Sequence, residues 1–190
     1  VIVSIEPDAL ARQVEASGQS RTLPPLDQWQ PELSGDMDLV IRRDGSWVYQ
    51  SDPITRDSVI RLFSTILRRE PDGEFYLVTP AEKWRIRVED TPLLAHSLEV
   101  EGDGDDQVLR LTTNVGEILT VGEAHPLTVG EYPETGEPRP VIGVRHGVEA
   151  RLVTAAFYAL AERVVEREVN GATVYGVMSQ GKFWPVGPGS

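Results

Sequence analysis

Two stretches of the chain repeat one pattern of apolar and polar positions. In the first, "MDLVIRRDGSWVYQ" holds two β-rich runs around Asp44-Gly45, a pair that favours a tight hairpin turn. "PITRDSVIRLFSTILRRE" follows, with Val59, Leu62, Phe63, Ile66 and Leu67 at i, i+3, i+4, i+7 and i+8. That spacing predicts an amphipathic helix, with Thr55 as its N-cap and Pro71-Asp72-Gly73 as its stop. A second hairpin, "FYLVTPAEKWRIRVE", comes next. In the later stretch, "PVIGVRHGVEARLV" predicts a hairpin turning at His146-Gly147. Thr154 then caps a helix whose stripe is Phe157, Leu160, Ala161, Val164 and Val165, Asn170-Gly171 stops it, and "TVYGVMSQGKFWPV" gives a last hairpin. Thr55 and Thr154, Tyr76 and Tyr175, and Lys83 and Lys182 are each 99 positions apart. Element order, helix phase and turn positions agree, which predicts an internal duplication of a hairpin–helix–hairpin unit.

Around these copies the pattern is plainer. Residues 5–17, "IEPDALARQVEAS", predict a short helix with Pro7 in its first turn, followed by a proline-punctuated tether. Between the copies, alternation at Leu98 and Val100 and at Val108, Leu109 and Leu111 flanks the acidic turn "EGDGDDQ". Short strands are expected at 118–121 and 127–129, and the acidic "EYPETGEPRP" as an exposed linker. The expected organisation is an N-terminal helix and tether (1–25), a first α+β part (26–95) and a second (96–190). The class is α+β, two antiparallel-sheet-plus-helix parts.

Composition narrows the chemistry. The 190 residues suit one domain or two small ones, and include no cysteine, so disulfides and thiolate metal sites are excluded. No apolar run reaches the roughly twenty residues of a membrane helix. The first residues do not read as a signal peptide, and the absence of a starting Met suggests a trimmed chain; the cytoplasm is the expected compartment. A net charge of −12 argues against wrapping a nucleic acid. Between Asp36 and Asp90 eleven acids meet nine bases, a local net of −2, so a small anion is tolerated best there.

Several segments resemble the bacterial family known as domain of unknown function 1285. They are "PPLDQWQP", "DGSWVYQSDPITRDSVIRLFSTILRRE", "FYLVTPAEKWRIRVED", "LRLTTNVGEI" and "HGVEARLVTAAFYALAE", together spanning most of residues 24–185. The resemblance implies a two-part α+β fold with a duplicated motif, its second part loosely like pleckstrin-homology domains. It also implies a nucleotide-like ligand at the interface of the parts and a role in bacterial signal transduction. It supplies no catalytic residues. Ala155 stands where the family pattern has arginine, which weakens any role for that helix start.

The candidate site is the turn from Thr79 to Lys83. Lys83, one of only two lysines, begins a period-two run with Arg85 and Arg87, placing positive charge on one face of a strand whose other face carries Trp84, Ile86 and Val88. Such a stripe binds phosphate or carboxylate. It equally pairs with neighbouring acids, of which Glu74, Glu89 and Asp90 are nearest in sequence. Thr112, Thr113 and Asn114 precede a glycine at a second bend, where they hold either a polar ligand or only their own turn. Arg145, Glu149 and Arg151 read as a cross-strand ion pair. His96, His125 and His146 lack paired spacing, so no metal is expected, and no cofactor fingerprint is present. The expected function is therefore a non-catalytic binding or sensor protein for a small anionic, nucleotide-like ligand, held by Thr79, Glu82, Lys83, Arg85, Thr113 and Asn114. Alternatives are an enzyme using Glu82 or Glu149 as acid or base, and a protein-interaction scaffold.

Overall fold

The computed structural model describes residues 6–16 and 23–188. These form two units: one comprises the described residues up to Pro92 together with Arg145–Val148, the other Leu93–Val144 and Glu149 onward. The architecture is mixed α+β.

The first unit opens with helix α1 (Pro7–Ala16), which buries Leu10, Ala11 and Val14. The expected helix ends at Ile5 and Ser17, and the first residues of the tether, lie outside the described residues. Six strands follow: β1 (Leu33–Ile41), β2 (Trp47–Tyr49), β3 (Asp52–Pro53), β4 (Leu67–Arg69), β5 (Phe75–Val78) and β6 (Lys83–Val88), with helix α2 (Asp57–Thr65) between β3 and β4. Their order in the sheet is β3-β2-β1-β6-β5-β4, antiparallel except that β1 lies parallel to β6. The Asp44-Gly45 hairpin forms as its chemistry requires. The Asp44 carboxylate accepts the Ser46 N–H and hydroxyl, and Gly45 takes the positive φ of 89°. Leu39, Ile41, Trp47, Leu77, Trp84 and Ile86 are buried with Val59 and Phe63 of α2, and the Trp47 and Phe63 rings lie 6.4 Å apart.

Helix α2 differs from expectation at both ends. Its N-cap is Arg56, not Thr55: Arg56 is extended, and its carbonyl accepts the N–H groups of Val59 and Ile60. At the other end the Ser64 and Thr65 hydroxyls donate back to the carbonyls of Arg61 and Leu62, and the helix stops. Ile66 and Leu67 are buried as the stripe predicts, but Leu67 belongs to β4, opposite Leu77 of β5.

The second sheet consists of β7 (Leu93–Glu101), β8 (Val108–Thr113), β9 (Ile118–Thr120), β10 (Leu127–Glu131), β11 (Pro138–Arg145) and β12 (Val148–Leu152), ordered β10-β11-β12-β7-β8-β9, and all of it except Arg145 and Val148 falls in the second unit. Helix α3 (Thr154–Ala161) follows, then a separate sheet of β13 (Val165–Val169), β14 (Ala172–Ser179) and β15 (Lys182–Pro188). "EYPETGEPRP" is not a linker. Its ends pair as strands β10 and β11, and Tyr132–Glu137 is the hairpin turn, closed where the Gly136 N–H donates to the Tyr132 carbonyl. Helix α3 also ends early, and its N-cap is Val153 rather than Thr154. Ala156 and Leu160 form its buried face, while Val165, expected in the core, is 40% exposed in β13 and Val164 is only half-buried. Asn170-Gly171 is not a helix stop but the turn between β13 and β14, with positive φ at both residues, the geometry a two-residue hairpin needs. Buried Ser179 joins the small sheet to its unit: its hydroxyl donates to the Val121 carbonyl and accepts the Leu109 N–H.

Both units thus carry hairpin, helix and three-stranded meander in the same order. The pairings differ. Lys83 faces Val78 across a four-residue turn and has β1 on its other side, whereas Lys182 faces Ser179 across a two-residue turn in a strand at a sheet edge.

Candidate functional site

Alternation along β4, β5 and β6 puts Arg68, Tyr76, Lys83, Arg85 and Arg87 on the face of the first sheet opposite Leu77, Trp84 and Ile86. Strand register lines up Arg68, Tyr76 and Arg85 across β4, β5 and β6, and the row continues to Asp36 of β1. The basic stripe is therefore real, and ion pairs run through it. Lys83 does not bond its neighbour Glu82; its Nζ reaches Glu70 at 2.9 Å and lies 4.8 Å from the centre of the Tyr76 ring. Arg68 is buried, donates to Glu70 at 2.6 Å, and donates to the carbonyls of Leu26 and Trp29. Arg85 pairs with Asp36 at 2.6 Å and Arg87 with Asp38 at 3.3 Å. The partners are thus Glu70, Asp36 and Asp38, not the sequence neighbours Glu74, Glu89 and Asp90 expected of the plain reading. Glu89 instead accepts the Arg43 N–H.

Protonation follows these contacts. Burial pushes the Glu70 carboxyl up, but the hydrogen bonds and charges of Lys83 and Arg68 outweigh it, leaving it below the usual carboxylate range. The Tyr76 hydroxyl donates to Asp72, which raises the phenol and lowers the carboxyl. The hydrogen bond from Arg85, with its charge, lowers Asp36.

At the turn itself Thr79 is buried and structural. Its Oγ accepts the N–H groups of Glu82 at 3.0 Å and Ala81 at 3.3 Å, and its own N–H donates to the Glu82 carbonyl. One carboxylate oxygen of Glu82 is buried without a hydrogen-bond partner, as is the indole N–H of Trp84. Thr113 and Asn114 belong to the second unit, where Thr113 holds its own bend and Asn114 ties that bend to Leu94 of β7. Thr113 Oγ accepts the Glu117 N–H, and Asn114 Oδ1 accepts the Leu94 N–H.

Beside the arginines lies a groove of about 580 Å³ lined by Asp36, Met37, Asp38, Glu74, Arg85, Ile86 and Arg87. It opens where β1 bulges: Asp36 faces Arg85 and Val40 faces Arg87, so four positions on β1 span two on β6. Sequence reasoning named Arg85 but missed Asp36, Asp38 and Glu70. Asp36 and Asp38, at period two ahead of "LVI", carried the signal. Glu70 was hidden because its segment reads as helix.

Among the described residues no group of three His, Asp or Glu side chains gathers to hold a metal ion, and no helix is long and apolar enough to cross a membrane.

Residues 24–91 match the model of the N-terminal domain of DUF1285, a domain of unknown function, and residues 92–186 match its C-terminal domain. No curated protein matches the chain. The crystal structure of a DUF1285 family protein from Silicibacter pomeroyi DSS-3 is similar at 42% identity and a TM-score of 0.85, covering 96% of this chain and 95% of that one. A DUF1285 family protein from Shewanella baltica OS155 shares the fold at 24% identity and a TM-score of 0.52, over 66% of this chain and 91% of that one. With two domain models in tandem and a relative aligned over nearly its whole length, the chain belongs to the DUF1285 family.

Proposed function

We propose that this is a non-catalytic binding or sensor protein for a small anionic, nucleotide-like ligand, acting in the cytoplasm of a bacterium. The observation that carries this reading is the groove at the β1 bulge, with Arg85 and Arg87 among the residues that line it. Arg presents a planar fork of donors suited to phosphate or carboxylate, and the groove has the volume of a small-molecule pocket. Lys83 adds positive charge to the same face, though Glu70 already holds it. Calorimetry with AMP, ADP and inorganic phosphate tests the reading. Binding is expected for the wild type, weakened at least tenfold in Arg85→Gln and weakened by added salt. No binding across the set, or equal affinity in the variant, would remove it.

One observation favours an enzyme as second reading: the buried, unpartnered carboxylate oxygen of Glu82, a group of the kind that acts as acid or base. A reaction at this site would be abolished by Glu82→Gln with binding retained. The scaffold reading rests only on the pleckstrin-homology likeness that the family resemblance implies for the second part, and is an analogy of fold. We propose also that the two units descend from one motif. The shared order of hairpin, helix and meander supports this, and superposition of the units in a crystal structure tests it.

A further inference from the structure

We infer that Asp36 and Asp38 are built-in competitors at the groove, occupying Arg85 and Arg87 until the anionic group of a ligand displaces them; this rests on the anion-binding reading given above. The groove holds three carboxylates, Asp36, Asp38 and Glu74, against two guanidinium groups, Arg85 and Arg87, a net charge of −1. An anion therefore meets cations that are already engaged: Arg85 Nε donates to Asp36 Oδ1 at 2.6 Å, and Arg87 Nη2 donates to Asp38 Oδ1 at 3.3 Å.

Three features make the aspartates displaceable rather than fixed. Their side chains are 68% and 59% exposed, so a released carboxylate passes straight into water. Each pair uses one donor atom of a fork that offers several. Asp38 also stands within the bulge, where β1 has left register with β6, so its backbone is not tied to that of Arg87. Arg85 is the better fixed of the arginines, because its backbone is paired on both sides, to Tyr76 of β5 and Asp36 of β1, while Arg87 is paired to Val40 of β1. Two residues apart on one face, they lie about 6.4–6.8 Å apart along the strand, a separation their long side chains close around one phosphoryl group. The aspartates would then set an affinity threshold, and would exclude singly charged anions that cannot outcompete a carboxylate.

The test is calorimetry with AMP and with inorganic phosphate on the full chain, comparing the wild type with Asp36→Asn/Asp38→Asn. That pair of substitutions changes the groove charge from −1 to +1. A control, Asp103→Asn/Glu123→Gln, removes two exposed charges elsewhere. Affinity is expected to rise roughly ten- to a hundredfold in the asparagine variant at low salt, and to stay within about twofold in the control. Tighter binding of AMP than of inorganic phosphate assigns the site to a nucleoside phosphate; equal binding assigns it to the phosphoryl group alone. Wild-type binding that is unchanged or weaker in the asparagine variant overturns the competitor role while leaving the ligand reading intact. An equal gain in the control overturns it as well. Binding by the asparagine variant alone would mean that neither ligand displaces the aspartates, and overturns the competitor role together with the sensor reading. Binding by neither protein removes both.

Discussion

Glu70 accepts hydrogen bonds from Lys83 and Arg68 while mostly withdrawn from water, its side chain being 18% exposed. Its carboxyl therefore titrates below the usual glutamate range. A folded-state pKa below the unfolded one means that the unfolded chain binds more protons, so stability rises with pH. The Glu70 contribution is complete above about pH 5 and is lost as pH falls through 4.5 toward the lower folded value. Asp36 and Asp72, also lowered, add to the same acid loss. We expect the thermal midpoint to be flat from pH 7 to 5 and to fall below that. Glu70→Gln should be destabilised at pH 7 by roughly 1–3 kcal/mol, because Arg68 stays buried without its carboxylate. It should also lose less on acidification. Parallel midpoint curves for the two proteins would show that Glu70 is not among the groups responsible.

Gly176 shows how an element can depend on one missing atom. It sits at the register shift between β14 and β15, and a Cβ there would lie 2.5 Å from the Trp184 carbonyl oxygen and 2.4 Å from the Phe183 ring. The ring can turn aside, but the backbone cannot. Gly176→Ala should cost about 1–3 kcal/mol, read from urea unfolding, whereas Gly171→Ala meets no atom and acts only through its φ of 81°. An unchanged midpoint for Gly176→Ala would mean that the β14–β15 bulge yields freely. Hairpins of this kind were the legible part of the chain, because Asp44-Gly45, His146-Gly147 and Gln180-Gly181 state their turn chemistry locally. Both helices were read too long, and in the same way. Buried strand residues such as Leu67 fall on the helical stripe by coincidence of period, and only the pairing with Leu77 separates the two readings. In the later copy "VVEREV" is β-branched enough to have warned of a strand. The bulge in β1 and the groove beside it had no local sign, since they arise from β1 and β6 meeting across more than forty residues.

Charge is a property of the whole molecule here. From Thr91 to the C-terminus fourteen acids face seven bases, a net of −7, while residues 36–90 carry −2. Folding concentrates these like charges, and their repulsion extends about 30 Å at 0.01 M salt but about 10 Å at 0.1 M. Added salt also weakens exposed attractions such as Arg110–Glu101 and Arg167–Asp105, which works against stability. Surface pairs of this kind contribute little in net terms, so relief of the excess negative charge should win. We expect the thermal midpoint to rise between about 20 and 200 mM sodium chloride. The gain should not be uniform, because repulsion grows with the square of the net charge. Amide exchange should slow more in β7, β8, β14 and β15, which lie in the acidic region, than in β4, β5 and β6, where acids and bases nearly balance. Equal slowing in both sets would point to a general solvent effect instead of screened repulsion. A midpoint that falls with salt would mean that the ion pairs outweigh the net charge. The exposed pairs Arg87–Asp38, Arg110–Glu101 and Arg167–Asp105 would then be the place to look for the loss.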